Sequence, residues 1–339
     1  MLTTCHFVLW MATFLPGAHP LAAPGVTSLT NPAVTYRELS EHHVVLQRGN
    51  VRTIVVDNEP LSIPDCPNHR AGYNGLASLT HTRRQENLFV PTYAGLNLEH
   101  IHDGTVTSVM REKFEPRVSP CRLRQVDEHT VEVYQPPSKH HQLESCGRYQ
   151  ILEDGTIEYT FECIPRAATY RRGYIGLFWA SYIHQPESLD IHFQGVSVDK
   201  PDGESAWIRG VTARHGVDST HPPRLLARQP GGLDLAHDAD FPLSLVYNRS
   251  RHLTSESWYY GVSHGMALVQ MFRPRDQIWF AQSPSGGGMG NPAWDFQWFI
   301  PDYRIGEAYG FTMRCAYLPF ESLEQLQVVT KPHRDALRR

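Results

Sequence analysis

Apolar and polar residues alternate with a period of two from Val44 almost to the end of this chain, and few patterns restrict a fold more tightly. Successive side chains of a strand point to opposite faces, so each such segment must bury one face against something else. Val51–Val56, Thr130–Tyr134, Thr156–Cys163, Trp207–Val211, Leu243–Tyr247, Met266–Phe272 and Gln277–Ala281 all carry the alternation. Glu153-Asp154-Gly155 marks a hairpin tip joining Tyr149–Leu152 to the strand at Thr156, because Asp-Gly supplies the turn geometry that matches strand twist. Pro136-Pro137, Lys200–Gly203, Pro222-Pro223 and Pro230–Gly232 break the pattern elsewhere. Near the C-terminus, Trp294–Ile300 and Phe311–Tyr317 alternate on either side of Gly306-Glu307. They are expected as two antiparallel strands with an aromatic buried face and a polar face able to hold a sugar ring. Helical periodicity is confined to Glu321–Val329, and Pro332 is expected to stop it.

So many strands with so little helix must stack or close. The expected fold class is all-β, a large antiparallel β-sandwich (a supersandwich) with few short helices, formed as one domain by residues 25–339. The hydrophobic share of 41% is enough for a sizeable core. A formal net charge of −4 provides no basic field to attract nucleic acid, and no apolar stretch approaches the roughly 20 residues of a membrane span. Phe7–Leu15 is a short apolar run followed by small residues, which predicts a signal peptide or disordered segment over residues 1–24 and export to a periplasmic or extracellular space. Six cysteines without metal-type spacing predict mostly buried thiols, with a Cys121–Cys146 bridge open in an oxidising compartment.

Three groups of residues could carry chemistry. Glu307 follows a glycine that lets the backbone bend, and a carboxylate held in a pocket can remove a proton from a sugar. His100 and His102 in Asn97-Leu98-Glu99-His100-Ile101-His102-Asp103 share one face of a strand. They and Asn97 are expected to meet substrate, and a histidine beside Glu99 or Asp103 can donate a proton. Trp294 and Trp298 also share a face, with one expected in the core and the other lining a cleft. Arg304 could pair with an acidic sugar. The glycine-rich run Ser283–Asn291 lacks the Lys-Ser/Thr ending of a phosphate loop and is expected to border the cleft. No cofactor and no metal are expected.

The order of these parts resembles the galactose-mutarotase-like superfamily, which includes aldose 1-epimerases. Asn74-Gly75-Leu76-Ala77-Ser78-Leu79 is similar to an early strand of that fold. Glu153–Tyr159 is similar to its middle hairpin, and Tyr303–Phe311 to its terminal strand. The resemblance implies a carbohydrate substrate and an acid–base proton transfer of epimerase, mutarotase or lyase type. Glu307 would be the base, with His184 or His100 as acid. The epimerase pattern places its mid-sequence histidine at Ala180, with His184 four residues on, and Ile305 stands where the pattern has proline. That departure leaves two alternatives open. One is a non-catalytic carbohydrate-binding domain; the other is a metal-dependent cupin-like enzyme using His100 and His102. The oligomeric state is left open.

Overall fold

The computed structural model describes residues 21–106, 114–214, 218–222, 235–240, 249–284 and 290–339. Among them are twenty strands, two α-helices at Glu115–Val118 and Leu323–Leu337, and a 3-10 turn at Pro274–Asp276. Fifteen strands form one hydrogen-bonded sheet, thirteen of them along a single path, paired antiparallel except that Asp218–His221 runs parallel to Arg249–Ser263. The path folds over so that its two halves face each other. One layer is built around Leu143–Ile151, Ile157–Pro165, Tyr309–Pro319 and Met266–Phe272, the other around Trp279–Ser283, Ala293–Pro301, Tyr174–Ala180 and Asn97–His102.

Alternation decides what fills the gap. Tyr309, Phe311, Met313, Cys315 and Tyr317 point inward from one layer, and Ile175, Leu177, Trp179, Trp294, Phe296, Trp298 and Ile300 from the other. Phe311 meets Trp179 at 5.0 Å, Trp298 at 5.2 Å and Phe296 at 5.8 Å between ring centroids. Trp179 also donates its indole N–H to the Tyr159 hydroxyl across the gap at 3.0 Å. A smaller sheet of His43–Arg48, Val51–Val56 and Gly75–His81 contributes Leu46, Val51 and Leu79 to the same core. The all-β sandwich expected from the sequence is the observed architecture.

Several local expectations change. The two late strands are not partners. Ala293–Pro301 pairs with Tyr174–Ala180 and Trp279–Ser283, whereas Tyr309–Pro319 pairs with Ile157–Pro165 and Met266–Phe272. The turn between them therefore crosses from one layer to the other. The last helix runs through Pro332 to Leu337. The carbonyl that proline leaves unbonded belongs to Val328, which is exposed and can be met by water, while His333 is fastened to Asp154 and Arg314.

The fold begins before Gly25. Leu21 is buried in the core, Ala22 bridges Tyr309, and Ala23 donates its N–H to the Ala308 carbonyl. Residues 1–20, Leu243–Tyr247 and most of the glycine-rich run lie outside the described residues. The five described cysteines are all free, so Cys121 and Cys146 form no bridge. No helix of the described residues is long and apolar enough to cross a membrane.

Candidate functional site

The outer face of the second layer is unlike the core face it backs. Register puts Tyr174, Gly176, Phe178 and Ala180 on it, with Asp295, Gln297 and Phe299 from the neighbouring strand and His100 and His102 from the other side. Trp279, Ala281 and Ser219 continue the same rows. Gln297 donates to the Ser219 hydroxyl at 2.7 Å, and the His221 ring lies 4.9 Å from Trp279. Gly176 is required here, because a β-carbon would stand 2.4 Å from the His102 ring packed over it.

A β-bulge organises this face. Pairing steps from His100 opposite Phe178 to Leu98 opposite Trp179, which leaves Glu99 without a partner position. Strict alternation would turn Glu99 inward; the extra residue lets Leu98 and Ile101 fill the core while Glu99 and His100 meet on the outer side. The Glu99 carboxylate receives the Arg117 guanidinium at 2.6 Å, the Tyr182 hydroxyl at 2.8 Å and His100 Nε2 at 3.4 Å. Arg117 also donates to the Tyr182 hydroxyl at 2.6 Å and lies 4.4 Å from the Tyr73 ring centre. The His100 ring packs 4.5 Å from Phe114 and 5.2 Å from Phe178.

Two carboxyls here are driven in opposite directions. Burial alone would raise Glu99, but His100, Arg117 and the Tyr182 hydrogen bond outweigh it and bring its pKa down to about 2. Burial pushes Asp295 well above the carboxylate range, and the nearby negative charge of Glu99 pushes it further, against the pull of one hydrogen bond from the Ser181 N–H. Glu99 is thus biased toward the anion, and Asp295 toward the protonated acid. Around them, the Asn97 amide atoms and both His100 ring nitrogens are buried without a hydrogen-bond partner of good geometry among the described residues. Buried polar groups are rarely left so.

The structure redistributes the residues singled out from sequence. His100, His102 and Asn97 belong to this face. Trp294 and Trp298 do not: both are fully buried core residues, and Trp294 gives its indole N–H to the Leu189 carbonyl. The expectation that one lines a cleft is corrected, since their spacing puts both on the inward side. Glu307 is exposed on the crossing turn, bound by Arg304 at 3.1 Å and by the Tyr309 hydroxyl at 3.0 Å. That turn lies beyond the Tyr174–Pro301 end of the strand pair, while His184 lies beyond the Ala180 end. The seven residues Tyr174–Ala180 separate them by roughly 20 Å, too far to share one sugar ring. Arg304 is occupied by Glu307 rather than poised for an acidic sugar. No cluster of three metal-ligating side chains occurs among the described residues, so His100 and His102 find no third ligand there.

Glu99, Arg117, Tyr182 and Asp295 went unrecognised as site residues. Only Glu99 had a sequence signal, its place beside His100; the bulge that re-aims it depends on the pairing with Phe178 and Trp179.

No protein-family model matches the chain, and no curated protein is detectably similar. Among solved structures, a putative aldose 1-epimerase from Escherichia coli K12 is similar, at 10% identity over 82% of this chain and 99% of that one, with a TM-score of 0.48. The heparan sulfate lyase HepC from Pedobacter heparinus aligns with 86% of this chain at 10% identity and a TM-score of 0.43. A 4-alpha-glucanotransferase from Thermococcus litoralis aligns with 84% at 6% identity and a TM-score of 0.43. The alignments take in 37% of the lyase and 40% of the transferase.

Proposed function

We propose that the protein binds a carbohydrate on the outer face of the second layer and transfers protons there, in an epimerase- or lyase-like reaction. The observation that carries this reading is the buried Glu99 carboxylate fastened to Arg117, Tyr182 and His100, with the neighbouring buried Asp295 carboxyl pushed the opposite way. Environments that push two such groups apart supply an acid and an anion at one pH. Asp295 is the proton donor. His100 takes up a proton on the ring, and the Glu99 carboxylate beside it stabilises the cation that forms. Arg117 and Tyr182 hold Glu99 in place. Aromatic rings at Phe178, Phe299 and Trp279 suit the apolar faces of a sugar, and Gln297, His102 and Asn97 suit its hydroxyls.

The test is interconversion of sugar anomers or epimers, followed by NMR over a panel of aldoses and uronic acids. General acid–base groups contribute on the order of 100- to 10,000-fold. His100→Ala and Asp295→Asn should each lower the rate at least 100-fold. Retention of the rate by either variant would remove that residue from the mechanism. Ala180 at the position of the epimerase histidine favours a second reading, a binding module without turnover. Saturable sugar binding with no interconversion of any panel member would establish it. Export, supported by Phe7–Leu15, remains part of the proposal, and N-terminal sequencing of the secreted protein tests it.

A further inference from the structure

A cavity of about 300 Å³ lies far from this face, between the helix Leu323–Leu337, the hairpin tip Asp154–Thr156 and the last residues of the strand Tyr309–Pro319. Both the hairpin and that strand belong to the first layer, so the cavity and Glu99 are on different layers of the sandwich. Its volume is at the lower end of small-molecule pockets, which run from roughly 300 to 1,000 Å³.

The cavity is braced from within. His333 Nε2 lies 2.8 Å from the Asp154 carboxylate, and Arg314 approaches His333 Nδ1 at 3.1 Å while holding Glu158 at 2.8 Å. These charges are consumed among themselves and fix the helix against the hairpin tip. At the rim stand Arg83 and Glu321, one of each sign, neither in an ion pair among the described residues. Leu318, Pro319 and Val329 supply an apolar wall. The Gln325 carboxamide turns its N–H toward the Pro319 carbonyl at 3.4 Å, which leaves its oxygen buried without a partner among the described residues.

This chemistry selects against a phosphate, which wants several cations or a cradle of backbone N–H groups. A ring-sized neutral molecule rich in hydroxyls fits better, because it can donate to the Gln325 oxygen, use both rim charges as hydrogen-bond partners and lay its apolar face against Leu318, Pro319 and Val329. We propose that this cavity is a second, non-catalytic site for a neutral hexopyranoside. It would anchor one sugar unit away from the reactive face, and it does not depend on the chemistry assigned to Glu99, His100 and Asp295.

Methyl hexopyranosides are suitable probes, since their locked anomeric carbon cannot be interconverted by the other site. Binding is measured by saturation-transfer NMR and titration calorimetry on the full chain, using methyl glucoside, galactoside and mannoside. Val329 lines the cavity but is 43% exposed, so Val329→Trp fills the space without burdening the core; Gln325→Ala removes the buried acceptor. At least one glycoside should bind wild type and His100→Ala alike. Affinity should fall at least tenfold in Val329→Trp and severalfold in Gln325→Ala, with circular dichroism unchanged. Binding that survives Val329→Trp, or that disappears in His100→Ala, would overturn the second site. So would failure of all three glycosides to bind.

Discussion

Both outer faces of the sandwich bury carboxylates, and they treat them differently. On the first layer, Glu162 accepts the backbone N–H groups of Val26 and Thr27 and the hydroxyls of Thr27 and Thr30, while Glu132 accepts the N–H and hydroxyl of Ser28. Arg148 adds a bond to the Val26 carbonyl. These partners belong to the chain's own N-terminal segment, strapped across the sheet, and every donor has one fixed role. On the second layer, Glu99 is met by a guanidinium, a phenol and the His100 imidazole, beside a buried Asp295 whose pKa is pushed up and an Asn97 amide buried without a hydrogen-bond partner among the described residues. A carboxylate saturated by backbone donors is a lock. One held by titratable groups among unfilled polar atoms is equipped to handle a proton.

The contrast can be broken most directly at the lock. Glu162→Ala leaves four donors without an acceptor and should cost about 3–5 kcal/mol of folding stability, read from urea denaturation. A loss below about 1 kcal/mol would mean that the strap is not held as described. At the site, Glu99→Gln should instead act mainly on turnover, lowering it by roughly 100-fold through loss of the charge that supports His100. Equal effects of Glu162→Ala and Glu99→Gln on stability, with none on turnover, would erase the distinction.

Stability against pH sharpens the comparison. Glu99 is depressed to about 2 from 4.5, so its contribution is complete above pH 4.5 and is lost as pH falls through that window. By linkage this amounts to on the order of 3 kcal/mol, absent in Glu99→Gln. Asp295 has the opposite sign: its folded pKa is raised well above 3.8, so stability is lost as pH rises from that value. Asp295→Asn should therefore lose less stability than wild type between pH 4 and pH 7. Identical slopes in variant and wild type would refute the upward shift. The smallest effect is expected at Glu307, whose pair with Arg304 is exposed at 47% and 72%. Glu307→Gln should change stability by less than about 1 kcal/mol and leave sugar interconversion within a factor of two.

The strands were largely legible because alternation is a local property. Val51–Val56 and Met266–Phe272 fall where their patterns end, and the Asp154-Gly155 turn joins the strands it was expected to join. Pairing was not legible. Trp294–Ile300 and Phe311–Tyr317 look like neighbours, yet each pairs with other strands, and the two meet through side chains across the core. The same loss of register information hid the site: Trp294 and Trp298 were expected to divide between core and cleft, but both face inward.

The chain's amino acids by themselves dictated a layered all-β body, an apolar interior rich in aromatics and a histidine pair on one strand face, because period and residue type act within a few residues. What each buried carboxylate is bound to was decided only by tertiary structure. Glu99, Glu132, Glu162 and Asp295 are chemically alike in sequence. Burial, a single bulge opposite Phe178 and Trp179, and the choice between backbone donors and Arg117 set their different partners.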